Sequence, residues 1–301
     1  MSRRRPLPPE LALAPFRVRD AAAVIPRSRL RGLDLNADVH GTRMVSRRLT
    51  LEQRCLLLQE RIPGAFFSHV TAALLWRIPI PWMLDEDLPV DVSLHHPRRA
   101  PHAADIRGHQ LRLVEPHVRV LPSGVRVTSP ARTWVDLSSM LKVIDLVAVA
   151  DYAIHWRHPI ATRAQLSSML EQSGVRRGSA KLREALSLAN DRSESAQESR
   201  LRVIIHYGGL PAPKVNHVVE DRFGEFVARA DLLFEEYNFV LEYMGDYHRT
   251  TTGQWRADMT RRSRLEAGGR GVMELNADDL KDPDELIQRI RARISIHVQG
   301  Q

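Results

Sequence analysis

Apolar and polar positions alternate with two different periods along this chain, and the change of period marks its organisation. In the last third, three apolar runs near 214–220, 226–234 and 237–243 have the length of strands. Asp221-Arg222-Phe223-Gly224 predicts the turn between the first two, and Glu235-Glu236 the turn before the third. A helix is predicted before them over about 196–207, where Gly208-Gly209 ends it. Another follows over about 253–267, closed by Gly268-Gly269. Residues 271–275 then read as a strand and 283–298 as a last helix, giving the order α-β-β-β-α-β-α.

The earlier part of the chain mixes shorter signals. Helical patterns are predicted near 17–24 and 27–33, a turn at Asp38-Val39-His40-Gly41-Thr42-Arg43, and a helix over Leu51–Arg61. Pro63-Gly64 breaks that helix, and Ser68 is placed to cap the next, 69–76. Residues 90–127 alternate apolar and polar, as in Val90-Asp91-Val92-Ser93-Leu94, and predict a small sheet. Thr128-Ser129-Pro130 starts a helix with proline in its first turn, and helical pattern returns at 141–153, 163–171 and 180–189. The polar stretch Asn190-Asp191-Arg192-Ser193-Glu194-Ser195 predicts a domain boundary. The expected class is mixed α/β with two domains: an α+β domain over 1–190 and an αβββαβ core over 191–301.

Charge adds a partner class. The chain of 301 residues carries a formal net charge of +8, and residues 1–48 hold eleven Arg against four acids with no Lys. Arginine is the better bidentate partner for phosphate, so DNA is the expected partner, with a solvated basic surface as the alternative. Cys55 is the only cysteine, which excludes an intrachain disulfide and suits a reducing, cytoplasmic setting. Proline at 6, 8 and 9 and Glu10 interrupt any apolar stretch after Arg3-Arg4-Arg5, so neither a leader nor a membrane partner is expected.

Two acids stand inside apolar runs. Glu242 interrupts Phe239-Val240-Leu241-Glu242-Tyr243, and eleven residues upstream Asp231 interrupts Ala228-Arg229-Ala230-Asp231-Leu232-Leu233. An ionised carboxylate buried without a partner costs several kcal/mol or more, so each must be paired, bound to metal or placed at an edge. Carboxylates on adjacent strands suggest a divalent-cation site, Mg²⁺ or Mn²⁺; pairing with nearby arginines is the alternative.

The order of elements, with Glu198 in the first helix, Asp231 on the second strand and Glu242 on the third, resembles the PD-(D/E)XK nuclease superfamily. It is most similar there to the short-patch-repair-type (Vsr-like) endonuclease domains, over about 191–301. That resemblance implies a restriction-endonuclease-like core and metal-dependent cleavage of DNA. Asp231, Glu242 and the Tyr243 carbonyl would be metal ligands, with Glu198 as auxiliary acid and His248 as proton-transfer group. Glu198 also completes Ser195-Ala196-Gln197-Glu198, a capping-box pattern that needs no catalytic role. Arg249, Arg256, Arg261, Arg262 and Arg264 are candidates for phosphate contacts, or a solvated helix face. In this family the third strand reads Glu-x-Asp-Gly, and in the wider superfamily Glu-x-Lys. Met244 stands at that third position and brings a thioether that binds a hard cation poorly.

Phe67-Ser68-His69-Val70-Thr71-Ala72-Ala73-Leu74-Leu75-Trp76 and Val127-Thr128-Ser129-Pro130-Ala131-Arg132-Thr133-Trp134-Val135-Asp136-Leu137 are similar to AbiEi-type antitoxins of type IV toxin–antitoxin systems. That resemblance implies a toxin partner and a link to phage defence. It also keeps open a non-catalytic DNA-binding regulator with a degenerate nuclease fold. His95, His96, His102 and His109 lack the His-Glu-x-x-His or cysteine-pair spacing of a zinc site.

Overall fold

Short runs rich in valine, leucine and phenylalanine form a five-stranded sheet in the N-terminal part of the chain. A computed structural model describes all residues outside 1–5, 14, 38, 46–48, 82–88, 113–116, 175–176, 221–222, 245–251 and 300–301. Its side-chain detail further excludes 13, 252–258 and 296–299. The chain divides into two units, Met1–Asp136 and Leu137–Gln301. Among the described residues, no helix is long and apolar enough to cross a membrane.

In the first unit, α1 (Leu51–Arg61) is followed by β1 (Phe66–Phe67), α2 (His69–Leu75), β2 (Val90–His95), β3 (Ile106–Leu111), β4 (Val118–Val120), β5 (Arg126–Thr128) and α3 (Pro130–Leu137). The strand order is β3-β2-β1-β5-β4, with β2/β3 and β1/β5 parallel. Cys55 and Leu58 from α1 pack with Phe67, Val90, Val92 and Val127 from the sheet. Burial pushes the Cys55 thiol far above its ordinary pKa, so it stays a protonated core residue. Gly108 is required in β3, because a Cβ there would collide with the Pro101 carbonyl. The N-terminal segment forms a separate three-stranded sheet from Phe16–Arg17, Leu35–Asn36 and Thr42–Val45. Thr42 and Arg43, expected in a turn, are therefore paired with Arg17 and Phe16.

The second unit starts with α4 (Val143–Ala153), α5 (Arg163–Gln172) and α6 (Ser179–Leu188). Six of the eleven α4 residues are buried and apolar, so α4 is a core helix between α6 and α7 (Ala196–Tyr207). Asp151 on α4 accepts from Arg202 Nη2 at 2.7 Å and from the Asn190 amide at 2.6 Å, and Arg200 pairs with Asp145 at 3.0 Å. These contacts explain why the polar stretch at 190–195 is a connection inside the second unit.

After α7 come β6 (Lys214–Glu220), β7 (Phe226–Phe234), β8 (Phe239–Tyr243), α8 (Thr252–Ala267), β9 (Gly271–Leu275) and α9 (Pro283–Gln299). The sheet order is β9-β8-β7-β6, antiparallel except for β8/β9. Leu201, Ile204 and Ile205 of α7 recur at helical spacing and pack with α9 against Leu232, Phe234 and Leu241. Leu265 of α8 packs against Leu233, Val240 and Val272. Neighbouring strand residues alternate faces, so these two sets place helices on both sides of the sheet. The observed order α-β-β-β-α-β-α matches the expected string, and the class is mixed α/β.

Candidate functional site

Register brings the two strand acids together. Leu232 lies opposite Leu241 in the antiparallel β7/β8 pair, so Asp231 and Glu242 occupy the next opposed positions, on the α8 side of the sheet. The Tyr243 amide donates to Asp231 Oδ2 at 2.8 Å. A strand residue points its N–H and C=O to the same neighbour, so the Tyr243 carbonyl also faces β7. Glu242 is buried, and Arg261 Nη2 from α8 lies 2.8 Å from its Oε2.

Glu198 joins them from the first turn of α7. Its amide donates to Ser195 Oγ at 3.1 Å, which is one half of the expected capping box. The other half is absent: Glu198 Oε2 accepts from the Glu194 amide at 2.9 Å and from Asn216 Nδ2 at 2.6 Å, not from Ser195. Asn216 holds that position with a left-handed backbone, φ 45°, inside β6. Burial, and then the charge of Asp231, push Glu198 up to about 7. Asp231 is also raised, by burial first, against the lowering effect of the Tyr243 amide, Arg261 and Arg229. Glu198 and Asp231 border an open groove of about 800 Å³ that also takes in Glu194, Arg229, Arg261 and Arg264.

Among the described residues no group of three or more His, Cys, Asp or Glu side chains is spaced to hold a metal ion by itself. Two carboxylates with a backbone carbonyl and water form the kind of donor set that Mg²⁺ uses, since it seldom takes an all-protein cage. The raised acids fit such a cation, whose charge would relieve the repulsion between Glu198 and Asp231. His248 and Arg249 lie outside the described residues, as does the side chain of Arg256. Arg262 pairs with Glu266 at 2.9 Å and Glu274 at 3.2 Å, so it holds α8 to β9. Arg264 lines the groove and has no carboxylate partner among the described residues.

Sequence reasoning missed Glu194, Asn216 and Arg229 as groove residues. Arg229 had a signal, since it sits two positions before Asp231 and shares its face. Asn216 had none, because its role depends on a left-handed backbone and a partner eighteen residues away.

Ionised Glu198 also makes a prediction. Its folded pKa is above the ordinary 4.5, so the ionised form destabilises the fold. That penalty is absent below about pH 4.5 and complete above about pH 7. Glu198→Gln should therefore raise stability by roughly 1–3 kcal/mol at pH 8 in metal-free buffer and change it little near pH 4.5. Urea denaturation at both pH values checks this; an equal change at both would refute the burial argument.

The first unit holds a second polar cluster, which is closed rather than open. Ser68 does not cap α2: its Oγ lies 2.7 Å from His69 Nδ1 and 2.6 Å from Ser93 Oγ. His69 stacks on His109 with centroids 3.9 Å apart, and His109 Nε2 lies 2.8 Å from Asp91 Oδ1. Burial, with His109 beside it, pushes the His69 imidazole down to about 3, so it stays neutral. Trp76 Nε1 donates to the Thr128 carbonyl at 2.8 Å, joining the segments 67–76 and 127–137, and Arg132 Nε pairs with Asp136 at 2.8 Å within the second. The Ser68 and Trp76 contacts tie the ends of α2 to the sheet, and the Arg132–Asp136 pair is internal to α3.

Two proteins of Mycobacterium tuberculosis are 28% identical to this chain over 169 residues: uncharacterized protein MT2308 of strain CDC 1551 and uncharacterized protein Rv2248 of strain H37Rv. The match takes in 56% of this chain and 61% of each relative's length. No protein-family model matches the chain.

Proposed function

We propose that the second unit is a divalent-cation-dependent phosphodiesterase acting on DNA, built on a restriction-endonuclease-like core with Mg²⁺ or Mn²⁺ as the cation. The observation that carries this reading is the opposed pair Asp231 and Glu242, with the Tyr243 amide on Asp231 and Glu198 beside them. Asp231, Glu242 and the Tyr243 carbonyl would hold the cation. A bound cation would lower the pKa of water and offset charge developing on phosphate. Glu198, raised to about 7, can exchange a proton near neutral pH, held in place by Asn216 and the Glu194 amide. Arg264 can contact phosphate at the groove. Met244 offers no oxygen ligand, and its amide is engaged by the Leu275 carbonyl at 2.6 Å.

The ion pair between Arg261 and Glu242 favours a second reading, in which the guanidinium supplies the positive charge and the unit is a non-catalytic DNA-binding regulator. The likeness of the first unit to AbiEi-type antitoxins supports a cytoplasmic role alongside a toxin partner under either reading.

Supercoiled plasmid incubated with Mg²⁺ or Mn²⁺ tests the choice. The first reading expects nicking that chelation abolishes and that Asp231→Ala lowers at least about 100-fold, the scale of losing one preorganised electrostatic group. Nicking that survives Asp231→Ala would place the activity elsewhere, and its absence from wild type would leave the regulator.

A further inference from the structure

The arginines expected to meet nucleic acid are partly consumed: Arg261 faces Glu242, and Arg262 faces Glu266 and Glu274. A different cationic surface of the second unit adjoins the same groove. It comes from the connection after α4 and the one before α7. Trp156 is 41% exposed, and two guanidiniums lie over its ring, Arg157 Cζ at 4.5 Å from the centroid and Arg192 Cζ at 4.7 Å. The Trp156 amide donates to the Asp191 carbonyl at 3.1 Å, which joins the two connections.

A chain of contacts links this patch to the carboxylates. Arg157 lies 3.7 Å from Glu194, which also pairs with Arg229 and lines the groove. Asn216 Nδ2 donates both to the Arg192 carbonyl at 2.9 Å and to Glu198 Oε2 at 2.6 Å. The Glu194 amide donates to Glu198. One carboxylate, Glu194, thus serves Arg157 and Arg229, while Arg192 has no carboxylate partner among the described residues. Both guanidiniums stack on the Trp156 ring, which holds them near one another. Arginine stacked on an aromatic ring keeps its N–H edge free and already oriented, which suits bidentate contact with phosphate. His155 and His158 lie alongside, their rings 6.2 Å apart.

We propose that Trp156, Arg157 and Arg192 form a clamp for the phosphate backbone of the DNA strand whose phosphodiester enters the carboxylate groove. The clamp rests on the reading of that groove as a phosphodiester site. It takes two adjacent phosphates without reading bases, and Trp156 acts as a positioning residue that fixes both guanidiniums.

Fluorescence anisotropy with a labelled DNA duplex, in metal-free buffer over a series of salt concentrations, tests it. Arg157→Gln/Arg192→Gln should weaken binding about tenfold and reduce the slope of log K against log salt by about 1.8, the loss of two phosphate contacts. Trp156→Leu should weaken binding several-fold with the charge unchanged, an effect that net charge alone would not give. Arg177→Gln/Arg183→Gln removes the same charge from exposed positions around α5 and α6 and should leave binding within twofold. The clamp is overturned if the Arg157/Arg192 variant binds like that control, or if wild type binds no DNA. Plasmid nicking by wild type and by Asp231→Ala, set beside this titration, separates the two proposals. If the Arg157/Arg192 loss persists while plasmid nicking proves absent, the phosphodiesterase reading fails and the patch is a DNA-binding surface without a cleavage site beside it. If nicking depends on Asp231 while Arg157 and Arg192 are neutral, the clamp alone fails.

Discussion

Arg261→Met should lower the stability of the metal-free protein by about 3 kcal/mol at neutral pH, because it removes the guanidinium from a carboxylate buried in the sheet. Glu242 is 3% exposed, so water cannot replace the lost partner. The Arg261 side chain is 32% exposed, which screens the pair and puts the expected cost at the low end of the range for breaking a buried ion pair. Two further readings tie the loss to charge. The deficit should shrink as pH falls, because a buried carboxyl without a partner takes up a proton instead. Millimolar Mn²⁺ should raise the Tm of the variant more than that of wild type, since the cation then meets Glu242 without displacing a guanidinium. Urea denaturation and thermal melts provide both numbers. A loss below about 1 kcal/mol would show that the ion pair does not govern the site.

The clearest part of this architecture was written in long periodic segments with glycine at their ends. The helix expected over 253–267 spans Thr252–Ala267, and the one expected over 196–207 spans Ala196–Tyr207. Short elements were harder to read, because two or three residues carry no period: β1 is two residues long and β4 three. Thr42 and Arg43 looked like a turn, yet tertiary pairing with Arg17 and Phe16 makes them a strand. Within the site, Asp231 and Glu242 were visible because each breaks an apolar run. Asn216, Glu194 and the Trp156 patch were not, since each depends on partners that only the folded chain brings near. The polar segment 190–195 misled for a related reason. It has the composition of a linker, but Asn190 is fixed by Asp151, and Glu194 and Ser195 support Glu198.

Calorimetric titration of Mn²⁺ into wild type and Asp231→Asn tests the central claim most directly, because it asks about the cation without requiring turnover. Asp231 and Glu242 oppose each other across two strands, and the substitution keeps size and hydrogen-bonding shape while removing one charge. Wild type should give one saturable event, tightening between pH 6 and pH 8 as Glu198, raised to about 7, loses its proton and adds charge at the groove. Asp231→Asn should weaken that event at least tenfold, the scale of a single lost interaction of about 1.4 kcal/mol. Absence of saturable heat from wild type, or equal binding by Asp231→Asn, would contradict a metal site at these carboxylates.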